Sequence, residues 1–498
     1  MDHTNSSTSS SQSSLLLALP EDIIEHIISL ASDPLQPSKL RGVLRTCKKL
    51  HEIALPIWVQ SYKLDENSKV FDFLSYIMND QRGLAPYVKK IEVGWTSDTV
   101  QWAAMQDLRK TVHVLTNLLP SAYQLGTSDY VIAGFTFPRT AHHLLLAACS
   151  QVETLVLPRT TLLVPDSVQS AGHNVPETAV RVLGALRHVT LTTAESRLFH
   201  ESMAGRSFNK YVWLRNAVHL LQLPNIQDFD ISEAVGLFSE DVSLQHATFP
   251  EGQSNVKNIR FHRSVLGSHV LHKVIRCPKS LKTFEYSVDW FLHGIPDESL
   301  RQVRAGDVMK AVKVHACTLE KLRLEFGDDY GKPDHKDLPP DCIYLGLNLR
   351  KMTALKTLSV SMQALTGFLD LLPVDHPNPI AYPSTREGAP RLVQCLPPNL
   401  EELTITNCGS AILEQVQEFL DAVASGSFPH LRLVALAFNI ERTPPGSIQL
   451  TCAAPDVAIQ LRYESIWERS SRIGLNVEQV NKLIARREAA SLPIASPA

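Results

Sequence analysis

The chain has 498 residues, 44% of them hydrophobic, and its 48 basic and 51 acidic residues leave a formal charge of −3. That length exceeds one ordinary compact domain unless the chain is a repeat array, and so even a charge balance points away from nucleic acid and other polyanions. No apolar run approaches the ~20 residues that a membrane helix requires.

The first elements are helical. Residues 1–14 form a serine-rich stretch that reads as a disordered tail. Leu15-Leu16-Leu17-Ala18-Leu19 is too short for a secretory core, lacks a basic flank and runs straight into Pro20-Glu21-Asp22. Pro20 suits the opening of a helix, and Glu21 and Asp22 favour the positive end of its dipole. Ile23, Ile24, Ile27 and Ile28 then recur at helical spacing as one broad apolar stripe. Ser32-Asp33-Pro34 and Gln36-Pro37-Ser38 break the chain before a second helix carrying Leu40, Val43, Leu44, Cys47 and Leu50 on one face. Three short helices in forty residues hold more apolar surface than they can bury, so a covering partner is expected.

The order Leu-Pro-Glu-Asp-Ile-Ile-x-x-Ile-Ile, followed by Leu-Arg-x-Cys-Lys-x-Leu-His-x-Ile-Ala-Leu-Pro-x-Trp, resembles an F-box over residues 15–60. The resemblance implies docking on the Skp-type adaptor of a cullin–RING ubiquitin ligase, with the rest of the chain recruiting a protein target. Carried over by position, Leu19, Pro20, Ile23, Ile24, Ile27 and Ile28 would form the first adaptor-facing surface. Leu44, Cys47, Leu50, Leu55, Pro56 and Trp58 would match the later helices. A linking helix is expected over residues 61–87, where Val70, Phe73, Leu74 and Ile77 share one face.

From residue 88 to about 455 one pattern repeats: apolar, two residues, apolar, one residue, apolar. It runs from Val88-Ile91-Val93 through Val152-Leu155-Leu157, Leu186-Val189-Leu191, Ile226-Phe229-Ile231 and Val256-Ile259-Phe261. Leu281-Phe284-Tyr286, Leu319-Leu322-Leu324, Leu355-Leu358-Val360, Leu400-Leu403-Ile405 and Leu431-Val434-Leu436 complete the series. A degenerate copy is expected near Ala122-Tyr123-Gln124-Leu125. Each triplet reads as a short strand with alternate side chains in a core. Helical stretches between copies, such as Leu413, Val416, Leu420 and Val423 before the last, imply parallel strands side by side with helices outside. The expected fold class is therefore α/β: a three-helix F-box, then an array that resembles an irregular leucine-rich-repeat solenoid. The asparagine or cysteine of that family, three residues after the last strand position, survives as Cys408 and Asn439. Seven prolines between residues 372 and 398 predict a long loop. In residues 456–498, Val457-Ile459-Leu461-Tyr463 alternates like a strand, and Val477, Val480, Leu483 and Ile484 suggest a closing helix, together a cap and tail.

Little in the sequence organises chemistry. The eight cysteines include no Cys-x-x-Cys pair and read as scattered thiols in a reducing, intracellular compartment, cytoplasmic or nuclear. Phosphate-binding glycine loops, His-Glu-x-x-His and nucleophile elbows are missing from the sequence, so neither a cofactor nor a metal site is expected. His142-His143 and the Asp328, Asp329, Asp334, Asp337 cluster lack ligand spacing. The exposed row of the strands is the better surface: Glu92, Val156, Thr190, Asp230, Arg260, Glu285, Arg323, Ser359, Thr404 and Ala435. Its charged centre nominates Asp230, Arg260 and Arg323 as the target-binding site, against the plainer reading of a solvated strand face. The resemblance thus implies a non-enzymatic substrate receptor with an adaptor and a protein target as partners, and no nucleic acid or membrane. The alternatives are a non-degradative interaction scaffold and a GTPase-activating or otherwise catalytic array using an exposed arginine such as Arg323.

Overall fold

The computed structural model describes residues 15–31, 40–64, 73, 76–77, 83–93, 145–146, 148–158, 183–192, 212–232, 234–236, 249–288, 305–326, 345–366, 391–409, 412–439, 448 and 450–464. The serine-rich tail, the copy near Ala122, His142-His143, the Asp328–Asp337 cluster, most of the proline-rich stretch and the closing helix around Val480 lie outside them. The chain divides into two compact units, Met1–Leu157 with Pro176–Leu186, and Pro158–Val175 with Arg187–Ala498. Both are built of helices and parallel strands.

The first unit opens with helices α1 (Glu21–Ala31), α2 (Leu40–Leu44) and α3 (Lys48–Val59). The Pro20 carbonyl accepts the Ile24 N–H at 3.1 Å, so α1 starts where the proline fixes the chain. Ile24 and Ile28 are buried against Leu40, Leu50, Ala54 and Ile57, which makes a small core between the helices. The Lys49 ammonium reaches the Leu17 carbonyl at 3.2 Å, and the His51 ring nitrogen Nδ1 meets the Leu44 carbonyl at 2.9 Å. Three strands follow, β1 (Ser61–Leu64), β2 (Lys90–Val93) and β3 (Thr154–Pro158), paired in parallel in that order. Ser61–Leu64 was expected within a linking helix. It is a strand because the Gln60 carbonyl accepts both the Lys89 and Lys90 N–H groups, at 2.9 and 2.8 Å, and this sets the next residues alongside β2. Tyr62 is then free to stack on Phe73 with ring centroids 3.7 Å apart.

In the second unit nine strands pair in parallel. They are β4 (His188–Thr192), β5 (Asp228–Ser232), β7 (Asn258–His262), β9 (Thr283–Ser287), β10 (Lys321–Glu325), β11 (Thr357–Ser361), β12 (Glu402–Cys408), β13 (Leu433–Asn439) and β14 (Ala458–Glu464), side by side in that order. Two short strands, β6 (Val235–Gly236) and β8 (Val265–Leu266), form a separate pair. Between the strands lie α4 (Val212–Leu220), α5 (Ser268–Ile275), α6 (Ala305–Val312), α7 (Met362–Thr366), α8 (Leu392–Cys395) and α9 (Leu413–Ala424). α8 lies within the stretch expected to be a proline-rich loop. Its four residues fit between Pro390 and Pro397, where no N–H is missing. β14, expected as a strand from its alternation, extends the same sheet, and its Ala458 N–H bonds the Arg432 carbonyl at 2.9 Å.

The ten apolar triplets coincide with β2 to β5, β7 and β9 to β13, and each of their described side chains is buried. Phe261, Phe284, Tyr286 and Phe326 run through the centre as successive edge-on or tilted rings 6.2–6.4 Å apart. Each such side chain contributes about 1.5–3 kcal/mol of burial. One device starts nearly every strand. The carbonyl just before a strand accepts two successive N–H groups from the start of the next: Arg187 from Gln227 and Asp228, Lys282 from Glu320 and Lys321, Lys356 from Glu401 and Glu402, all at 2.8–3.0 Å.

Candidate functional site

The first candidate surface belongs to α1. With Ile24 and Ile28 turned inward, the adjoining side of the helix leaves Ile23, Ile27 and Leu30 at 43, 40 and 74% exposure, and Leu19, just before the helix, is 36% exposed. Among the twelve positions expected to face an adaptor, Ile24, Ile28, Leu50 and Leu55 are instead buried and support the helices from within. Pro20 is exposed, and Leu44, Cys47, Pro56 and Trp58 are half-buried. Trp58 meets Tyr76 edge to face at 6.3 Å. The surface that remains open is therefore one apolar row along α1. The stripe from Ile23 to Ile28 was legible in the sequence as a whole, but which side turned inward depended on where Leu40 and Ala54 came to lie.

The second candidate surface is the open face of the second unit's strands. Pairing registers bring Thr190, Asp230, Arg260, Glu285, Arg323, Ser359, Thr404 and Ala435 into one row, each beside the next. The row is exposed or half-buried from Thr190 to Thr404, apart from Glu285, and closes at Ala435, which is buried. Asp230 and Arg260 touch directly, with carboxylate and guanidinium 2.9 Å apart. Arg260 also reaches Asp228 at 3.5 Å and Glu285 at 3.9 Å. Arg323 makes no contact with either of its nominated companions; it is joined to them through Glu285 at 3.9 Å, while its fork closes on Glu325 at 2.8 and 3.2 Å. Lys321 completes the set, 2.9 Å from Glu285.

Glu285 is thus the hub of the three nominated or neighbouring cations, a role that sequence reasoning missed. The signal for it was present, since Glu285 occupies the same row between Arg260 and Arg323. Asp228 is similarly engaged by Asn258 at 2.6 Å and by the His188 ring at 2.6 Å. Burial alone would raise the Glu285 carboxyl, but the hydrogen bond from Lys321 and the charges of Lys321, Arg323 and Arg260 outweigh it and hold it below its ordinary value. At Asp230 burial wins: the carboxyl is raised, with Arg260 opposing and Asp228 adding to the shift. Burial works against both guanidinium charges too, yet their carboxylate neighbours hold Arg260 and Arg323 firmly protonated.

The cations stand outermost. Lys321 is 44% exposed at its side chain whereas Glu285 is 10% exposed. Such a surface offers forked donors held rigidly by acceptors beneath them, which suits polar recognition of another macromolecule. It is poorly suited to catalysis by Arg323, whose donors are already engaged by Glu325 and Glu285. Burial raises the thiols of Cys149, Cys277 and Cys395 to about 12, so they stay protonated and unreactive at neutral pH. Among the described residues no cluster of three or more His, Cys, Asp or Glu could hold a metal ion, and no helix is long and apolar enough to cross a membrane. Compared with known proteins, the chain matches no family model and no curated protein.

Proposed function

We propose that this chain is a substrate receptor. In this reading its N-terminal helices are an F-box that docks on the Skp-type adaptor of a cullin–RING ubiquitin ligase, and its strands form a leucine-rich-repeat-like solenoid that holds a protein target. The observation that carries the reading is the row Ile23, Ile27 and Leu30 on α1, with Leu19 just before it, exposed beside a face of the helix that is already buried. An apolar row of this kind gains roughly 1 kcal/mol or more per side chain when covered, and its Leu19, Ile23 and Ile27 are among the positions that resemble the F-box. The chain itself would perform no chemistry. It would raise the effective concentration of a target near the ubiquitin-charged enzyme, with the row centred on Asp230, Arg260 and Arg323 as the target-binding face.

The test is co-purification of the full chain with a Skp-type adaptor, alongside an Ile23→Asp/Ile27→Asp variant. Both side chains are exposed, so the fold should persist by circular dichroism while charge buried in an apolar seam abolishes the contact. Failure of the unaltered chain to retain the adaptor would discard this reading.

A further inference from the structure

The balanced composition conceals a sorting of charge within the second unit. The carbonyls that start each strand belong to a column of residues along the N-terminal edge of the sheet: Arg187, Gln227, Lys257, Lys282, Glu320, Lys356, Glu401 and Arg432. Neighbouring strands lie ~4.8 Å apart, so these side chains form a close linear series. Its two acids are each engaged by a lysine, Glu320 by Lys282 at 2.8 Å and Glu401 by Lys356 at 3.4 Å. Arg187, Lys257 and Arg432 are exposed and have no carboxylate partner among the described residues.

The same edge receives the ends of helical turns. The buried His315 ring just after α6 meets the Ile275 carbonyl at the end of α5, and the Thr318 hydroxyl donates to the Leu281 carbonyl before β9. The turn of His315 adds exposed Lys313, and the turn Gly346–Lys351 before β11 adds exposed Arg350 and Lys351. Dipole compensation at a helix end accounts for cations of that kind. It does not account for Arg187, Lys257 and Arg432, which precede strands. Beside these cations stand two of the exposed large apolar side chains, Val314 at 52% and Leu347 at 60%.

We propose that this edge is a docking surface for an acidic polypeptide segment bearing apolar side chains, distinct from both the α1 row and the open strand face. Charge complementarity selects an anionic partner, and Val314 and Leu347 select one with apolar anchors. A nucleic acid fits less well, because among the described side chains of this unit no phenylalanine, tyrosine or tryptophan is exposed to stack on bases. An anionic membrane fits less well too, because Glu320, Glu401 and the exposed Asp456 beside β14 lie on the same edge and would be pressed into its headgroups. A polypeptide can meet them with its own amides and lysines.

The probe is a fluorescein-labelled synthetic peptide of glutamates interrupted by leucines, titrated with the full chain at low salt and followed by anisotropy. Binding is expected to weaken as salt rises and to fall about tenfold or more in a Lys257→Glu/Lys313→Glu/Arg432→Glu variant. A Val314→Ser/Leu347→Ser variant should lose about fivefold with the salt dependence unchanged. All five side chains are exposed, and circular dichroism verifies the fold. Absence of peptide binding, or equal binding by the charge-reversed variant, overturns the proposal. So does tighter binding, through the same residues, of phosphatidylserine vesicles or single-stranded RNA.

Discussion

At the scale of single residues, two positions turn local geometry into stability. Gly426 follows α9 with φ at 87°, its N–H bonding the Val423 carbonyl at 2.9 Å while Ser427 bonds the Ala422 carbonyl at 3.0 Å. These paired bonds close a helix end in the manner that favours glycine. A Cβ at this position would meet open space, so the cost of Gly426→Ala is conformational alone, about 1 kcal/mol in a urea titration. His315 acts through protonation. Its Nε2 lies 2.8 Å from the Ile275 carbonyl and its Nδ1 faces the Leu281 N–H at 3.5 Å, an arrangement that needs the neutral ring. Burial lowers its pKa, with the Ile275 bond opposing. Because the folded value lies below the unfolded one, its contribution is complete above about pH 6.5 and declines as pH falls, the unfolded chain taking up the proton first. Native stability should therefore drop between about pH 7 and 5, and His315→Gln should show a shallower drop in the same titration.

At the scale of elements, the strands follow directly from sequence and the charged face follows from their register. A two-residue period with Val, Ile, Leu and Phe inside sufficed to locate β5, β7 and β9 to β13, and it fixed which side chains share a row. What it could not supply was the pairing of charges across the row, which depends on side-chain reach. Glu285 gathers Lys321, Arg323 and Arg260 because its carboxylate sits low between two strands whose long cations lean over it. Glu285→Gln removes that shared anion and leaves three cations crowded together. Denaturant unfolding should register a loss of about 1–2 kcal/mol, and an unchanged midpoint would mean that the three cations are held by their other neighbours. The helices α1 to α3 and α9 were legible as apolar stripes, but α8, the inward side of α1 and the strand at Ser61–Leu64 were not. The last two depend on contacts with distant segments, Leu40 and Ala54 for the side of α1 and the start of β2 for the strand.

For the whole molecule, composition was a poor guide to surface. A formal charge of −3 pointed away from polyanions, whereas the fold lines one edge of the second unit with cations and sets paired charges on its open face. The starts of successive apolar triplets from Leu186 to Leu431 are separated by 25 to 45 residues, yet β5, β7 and β9 to β13 each begin on the double hydrogen bond from the preceding strand of the sheet. That column acts as a ruler. Variation in segment length is taken up after a strand leaves the sheet, so the chain can gain or lose whole loops there without disturbing alignment. A single residue inserted between Lys356 and Thr357 has no such freedom: it would turn every following side chain of that strand to the opposite face and exchange Leu358 and Val360 in the core for the hydroxyls of Thr357, Ser359 and Ser361. Tolerance to insertion in this protein is thus directional along the chain, permissive behind each strand and closed in front of it.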